Sequence, residues 1–109
     1  MDTDTIRQQL RDEIKELQTT SATSADSRSR VDLDQQSVGR LSRMDAMQQQ
    51  SMALAAEKRR QGRIARLEAA LKRLDSGDYG YCVRCGDEID EKRLDADPSA
   101  PVCSACAGA

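Results

Sequence analysis

Four cysteines fall as Cys82-x-x-Cys85 and Cys103-x-x-Cys106, with 17 residues between the pairs. Each pair can bend into a knuckle that presents two thiolates to one metal at about 2.3 Å per bond, and the interval suits a short hairpin or a turn of helix. The chain has no histidine, so an all-cysteine site is the only zinc site of this kind on offer. Gly86 follows the first knuckle, where backbone amides must approach sulfur closely and a positive φ is often needed. Gly108 lies two residues beyond the second. Two disulfides or a redox dithiol would use the same residues. Disulfide frameworks belong mainly to secreted domains, whereas Met1-Asp2-Thr3-Asp4 is acidic and polar rather than an apolar leader, and a cytoplasmic protein is expected. The expectation is one structural Zn²⁺ held by Cys82, Cys85, Cys103 and Cys106. Four thiolates leave no open position for a catalytic water, and no other constellation resembles an enzyme's.

Composition makes the metal necessary. Without Phe or Trp, and with Tyr79 and Tyr81 as the sole aromatics, 109 residues cannot build an ordinary globular core. A charged fraction of 33% suits helices that pack along one stripe. Below about 40 residues a domain generally needs a metal or disulfides, and residues 76–109 are that short. No stretch approaches the roughly 18 apolar residues of a membrane span. The net charge of −2 gives no global attraction to nucleic acid. Charge is unevenly spread. Residues 57–75 hold seven basic and three acidic side chains, for +4, and residues 76–109 hold three basic and seven acidic, for −4.

Ile6, Leu10, Ile14 and Leu17 form one apolar stripe, which predicts a short amphipathic helix over residues 1–18. Residues 19–33 open with a Ser/Thr/Ala-rich run and are expected to form an irregular connection near a hairpin tip. From residue 34 to 75 the chain is rich in good helix formers and free of Pro, with Gly39 and Gly62 as weak points. Ile64, Leu67, Leu71 and Leu74 are spaced as a coiled-coil seam, which Leu41, Met44, Met47 or Gln48, and Leu54 continue loosely. A helix over 34–75 would be on the order of 60 Å long and the first about 25 Å, so the short helix would leave part of the long one uncovered. Gly77 is placed as the residue that stops the second helix. The expected fold is mainly α: an antiparallel helical hairpin, a coiled coil, followed by a small four-cysteine zinc finger over 76–109.

Tyr79-Gly80-Tyr81-Cys82-Val83-Arg84-Cys85-Gly86, then Ile89, Arg93-Leu94, Ala96, Pro98, Ala100 and Cys103-Ser104-Ala105-Cys106, resemble the signature of the DksA/TraR family of bacterial transcription regulators. The resemblance covers about 28 residues and includes the interval between the cysteine pairs. It implies a protein that binds RNA polymerase directly, through the secondary channel, rather than binding promoter DNA. Within the finger, Ile89 and Leu94 are placed to pack over the metal site, Arg93 to pair internally with a carboxylate, and Pro98 to set the return turn.

At the hairpin tip the chain departs from the family. Members that act through the channel carry two aspartates three residues apart, followed by an alanine. Counting without gaps from the finger puts Gly39, Ser42 and Met44 at those positions. Asp32, Asp34 and Asp45 are the nearby acids that could take the acidic role, and Asp34 equally suits an N-cap of the long helix. Arg40 and Arg43 belong to a Ser37–Ala46 segment that is a candidate polymerase contact or a solvated helix face. The same counting sets Arg59 and Arg66 where the family has basic residues implicated in binding guanosine tetraphosphate, and arginine suits phosphate. Lys58, Arg59, Arg60, Arg63, Arg66, Lys72 and Arg73 surround the second helix without forming one DNA-binding stripe, and stacking aromatics are missing. An adaptor that binds some other protein, and a thiol redox sensor that releases zinc on oxidation, are the alternative readings.

Overall fold

The computed structural model describes the backbone of residues 2–35 and 40–108 and the side chains of residues 2–25 and 43–108. The helices are α1 (Thr3–Gln35), α2 (Arg40–Ser76), α3 (Glu91–Ala96) and α4 (Ser104–Ala107). Among the described residues, β pairing is confined to one antiparallel bridge between Tyr81 and Glu88. The fold is mainly α, a hairpin of two long helices with a four-cysteine finger. The chain divides into two compact units, Met1–Lys15 with Arg63–Ala109, and Glu16–Gly62.

The first unit takes in the start of α1, the end of α2 and the whole finger, so the finger is not a separate body. Asp2 caps α1, accepting the Asp4 amide at 3.2 Å and the Thr5 hydroxyl at 2.7 Å. Ile6 and Leu10 on α1, and Ile64, Leu67, Ala70 and Leu74 on α2, are buried, with Leu10 and Leu67 at zero exposure. The spacing of three and four residues delivers these side chains to one face of each helix. The helices run antiparallel: Arg7 meets Asp75 at 3.0 Å and Glu13 meets Arg63 at 2.9 Å. A Schellman motif ends α2. The Asp78 amide donates to the Arg73 carbonyl at 2.8 Å and that of Gly77 to Leu74 at 3.3 Å. Gly77 has φ +82°, which a side chain would strain.

The second unit holds the remainder of α1 and α2, joined through residues 36–39, which lie outside the described residues. Arg60 Nε donates to Ser21 Oγ at 3.3 Å, an antiparallel contact. The Arg60 guanidinium also grips Glu57 at 2.8 Å, and Gln61 donates to the same carboxylate at 2.9 Å. Together the Gln61 amide, Arg60 and Ser21 hold the Glu57 carboxyl down to about 2. Ala46 is buried, Ala53 and Ala56 are half-buried, and Met44, Met47, Met52 and Leu54 are exposed.

Two expectations need correcting. Residues 19–33 are helical, so α1 continues to Gln35 and α2 begins at Arg40 rather than at 34. Serine and threonine favour turns when their hydroxyls compete for backbone partners. Here Thr20 and Thr23 donate to the carbonyls of Glu16 and Thr19, each at 3.0 Å, and so satisfy their hydroxyls inside the helix. With no Gly or Pro before Gly39, nothing forces a break. The helices therefore have 33 and 37 residues, nearly equal in length. Asp32 and Asp34 fall in the last turn of α1, so neither can be an N-cap of α2.

The second correction concerns register. The seam row of α2 is Ala46, Ala53, Arg60, Leu67 and Leu74, seven residues apart throughout. Met44, Met47 and Leu54 are not its continuation. Small alanines take the inward positions because the row is set by heptad phase from Leu67 and Leu74, not by side-chain size. Replacing Leu67 by Ala should cost about 2–5 kcal/mol through cavity formation. Replacing Leu54 by Ala should change stability by less than about 0.5 kcal/mol. Thermal or urea unfolding of the two variants checks the register, and equal losses would refute it.

Candidate metal centre

The first knuckle is built by backbone bonds around Gly86. The Cys82 amide donates to the Asp87 carbonyl at 2.8 Å, that of Gly86 to Cys82 at 2.9 Å and that of Ile89 to Gly80 at 2.8 Å. Gly86 has φ +79°, the left-handed conformation that turns the chain after Cys85. This tight return aims the Arg84 amide at Cys82 Sγ, 3.4 Å away. The Val83 amide donates to the Pro101 carbonyl at 2.9 Å, which fastens the approach to Cys103 beside the first knuckle. Cys103 directly precedes α4 and Cys106 lies within it.

All four sulfurs lie within 4.8 Å of one another, and no disulfide joins them. Cys85 Sγ and Cys103 Sγ are 3.7 Å apart. A tetrahedral zinc site with bonds of about 2.3 Å has S···S edges of about 3.8 Å, so the cluster fits the ion. Burial pushes the Cys82 thiol up, but the amides of Cys85, Cys103 and Arg84 outweigh it and bring the thiol down to about 6. Cys106, hydrogen-bonded among Cys103, Cys82 and Cys85, is pushed up to about 12. Thus the scaffold stabilises a first thiolate and resists a fully ionised set, a balance that a divalent cation reverses.

A small apolar cluster supports the ligands. Cys82 packs with Ile89, Leu94 and Ala100, flanked by Tyr79, Val102, Cys103 and Cys106. Ile89 and Leu94 therefore sit where expected. Arg93 is an internal tie, but its partner is the Val102 carbonyl at 2.9 Å and not a carboxylate. The Tyr79 hydroxyl donates to the Pro98 carbonyl at 2.8 Å, holding the return segment.

Sequence reading did not single out Arg63, which joins three segments of this unit. Its Nη1 donates to Asp97 Oδ1 and to Ser99 Oγ, both at 2.7 Å. Its Nε and Nη2 reach Glu13 Oε1 on α1 at 3.0 and 2.9 Å. Asp97 Oδ1 also accepts the Ser99 hydroxyl at 2.8 Å and amide at 3.1 Å, and Ser99 is fully buried. Burial would raise the Asp97 carboxyl, but Arg63 and Ser99 hold it below its usual range. Nothing local marks this role, since the partners lie 50, 34 and 36 residues away.

Among the described side chains, the other predicted residues are not joined into a site. Asp32 and Asp34 are in the last turn of α1 and Arg40 opens α2, with their side chains outside the described residues. Gly39 and the Ser42 side chain are outside them too. Arg43, Met44, Asp45, Arg59 and Arg66 are exposed on α2. Among the described residues, no hydrogen bond or ion pair links Arg43, Asp45, Arg59 or Arg66 to one another.

A helical hairpin whose first compact unit carries a four-thiolate zinc finger defines the class of protein. Residues 77–109 match the family model described as "Prokaryotic dksA/traR C4-type zinc finger". The finger is similar to that family's, and the hairpin that carries it is similar in fold to the DksA2 structure. The finger holds one structural zinc ion. The chain is 43% identical over 56 residues to the RNA polymerase-binding transcription factor DksA of Haemophilus influenzae, covering 51% of this chain and 39% of that one. It is 39% identical over 56 residues to the protein of the same name from Escherichia coli K12, covering 51% and 37%. It thus spans about two fifths of the length of these curated relatives. The solved structure of transcription factor DksA2 from Pseudomonas aeruginosa superposes with a TM-score of 0.83 at 24% identity, over 97% of this chain and 80% of that chain.

Elemental analysis should find one zinc per chain, and none in a Cys103→Ser variant. A metal-free wild type with unaltered thermal unfolding would contradict the structural role. Arg63→Met should lower stability by about 1–3 kcal/mol, because it removes charged hydrogen bonds and leaves the Asp97 and Glu13 carboxylates without the cation that joins them. The exposed Arg66→Met should stay within about 0.5 kcal/mol of wild type.

Proposed function

We propose that this chain is a non-enzymatic transcription regulator that binds RNA polymerase directly, enters its secondary channel with the hairpin, and does not read promoter DNA. The observation that carries the reading is the finger itself: its ligand spacing and its surrounding residues match the dksA/traR type over 77–109. The similarity to curated RNA polymerase-binding factors and the DksA2-like hairpin support it. No described helix is long and apolar enough to cross a membrane, which agrees with action on a cytoplasmic enzyme.

In this reading the segment flanking residues 36–39 is the working tip. Asp32 and Asp34 end α1, and Arg40, Arg43 and Asp45 open α2. Carboxylates held beside the polymerase's metal site would perturb the open complex electrostatically, and the arginines would contact the enzyme. Arg59 and Arg66 are the candidates for holding guanosine tetraphosphate, each exposed on α2 and chemically matched to phosphate.

Purified protein should bind bacterial core RNA polymerase in competition with a known secondary-channel factor. Asp32→Asn, Asp34→Asn and Asp45→Asn variants should bind normally, with altered promoter-complex lifetime identifying the acidic effector. Absence of binding at micromolar concentration would favour an adaptor for a different protein.

A further inference from the structure

The two cysteine pairs are held by different means. The first knuckle is closed by its own backbone: the amides of Cys82 and Gly86 bond within residues 82–87, and Gly86 supplies the left-handed turn. The second pair is reached through residues 97–103, which run between α3 and α4 without helix or strand. Groups from elsewhere in the unit fix their path. The carbonyls of Pro98, Ser99, Pro101 and Val102 accept from the Tyr79 hydroxyl, Arg73, the Val83 amide and Arg93, at 2.8, 3.4, 2.9 and 2.9 Å.

Ser99 is where α2 takes hold of this stretch. Among the described residues it is the one buried polar side chain, and it stands four residues before Cys103. The two atoms that Arg63 Nη1 grips at 2.7 Å, Asp97 Oδ1 and Ser99 Oγ, are bonded to each other at 2.8 Å. The Ser99 amide bonds the same Asp97 oxygen, and the Ala100 amide closes a turn on the Asp97 carbonyl at 3.0 Å. The cation therefore seats a formed loop rather than a loose side chain. The other edge of the guanidinium, Nε and Nη2, is anchored on Glu13 of α1, so both hairpin helices set where the loop sits.

We propose that Arg63 is a positioning residue of the zinc site: by seating the loop at Asp97 and Ser99 against α2 it delivers Cys103 and Cys106 to the first pair, so that zinc affinity is coupled to the base of the hairpin. Contacts that form only when the second pair is in place add their free energy to metal binding. The coupling is reciprocal. Zinc at the sulfurs keeps Asp97 and Ser99 on Arg63 and, through Arg63, strengthens the hold on Glu13.

The test measures the Zn²⁺ affinity of the full chain by competition with a chelator of known affinity, at a temperature where every variant is folded. Arg63→Met should raise the zinc Kd at least about tenfold. Arg63→Lys should fall between that variant and wild type, since an ammonium keeps the charge but not the fork. Leu10→Ala is the control, because Leu10 is fully buried in the hairpin and lies outside the apolar cluster beside the cysteines. It should lower the unfolding midpoint more than Arg63→Met does and leave the Kd within about twofold of wild type. Hydrogen exchange on the wild type adds a readout that depends on no variant: chelating the zinc should speed exchange at the amides of Ser99 and Ala100 and also at those of α1 around Glu13. A wild-type Kd in Arg63→Met would overturn the proposal. A Leu10→Ala Kd raised as far as that of Arg63→Met would do so too, by showing that affinity merely follows stability, as would α1 exchange that zinc removal leaves unchanged.

Discussion

Four sulfurs crowded within 4.8 Å of one another cannot all be thiolates unless a cation lies among them. The rest of the first unit is arranged around that constraint. Amides of the first knuckle favour one anion at Cys82, Gly86 allows the turn that aims them, and the chain from Pro101 onward is tied to Val83 so that the second pair arrives at bonding distance. The buried apolar residues of the finger are few: Ile89, Leu94 and Ala100 beside Cys82. Such a cluster is too small to hold a fold by hydrophobic burial alone, so metal ligation supplies a large part of the finger's stability.

Arg63 complements the metal. Zinc organises the finger internally, whereas the guanidinium fastens Asp97 and Ser99 to α2 and, through Glu13, to α1. The planar fork is well matched to this task, because it serves two carboxylates and a hydroxyl in fixed directions. Tyr79 adds a neutral bond to Pro98 in the same return segment. Metal, arginine and tyrosine thus restrain one short stretch of chain from three sides.

The finger was legible in the sequence because its determinants are local. Ligand spacing, a glycine after the first knuckle and a glycine at the end of α2 each act within a few residues of where they stand. The base of the seam was legible for a similar reason, since Leu67, Leu71 and Leu74 repeat at helical spacing. Upstream the apolar pattern misled: the largest side chains, Met44, Met47 and Leu54, lie outside the seam, while Ala46 and Ala53 lie in it. The Ser/Thr-rich run misled as well, because hydroxyls that could open a turn instead bond back to the preceding helical turn. Arg63 was illegible, its partners being distant in sequence, and among the described residues Arg43, Asp45, Arg59 and Arg66 share no hydrogen bond or ion pair by which structure alone could group them.

The row Ala46, Ala53, Arg60, Leu67, Leu74 grades from small, through charged, to large and apolar along one helix. Side chains at its Leu67 end are costly to change, since each fills a closed volume. At its alanine end few atoms are committed, so neighbouring positions are nearly free to vary without unfolding the protein. Mutational tolerance is therefore distributed unequally within a single continuous helix. A lineage carrying this hairpin could diversify what its distal residues recognise while the zinc-bearing unit stays unaltered, so that heritable change in specificity would need no change in architecture.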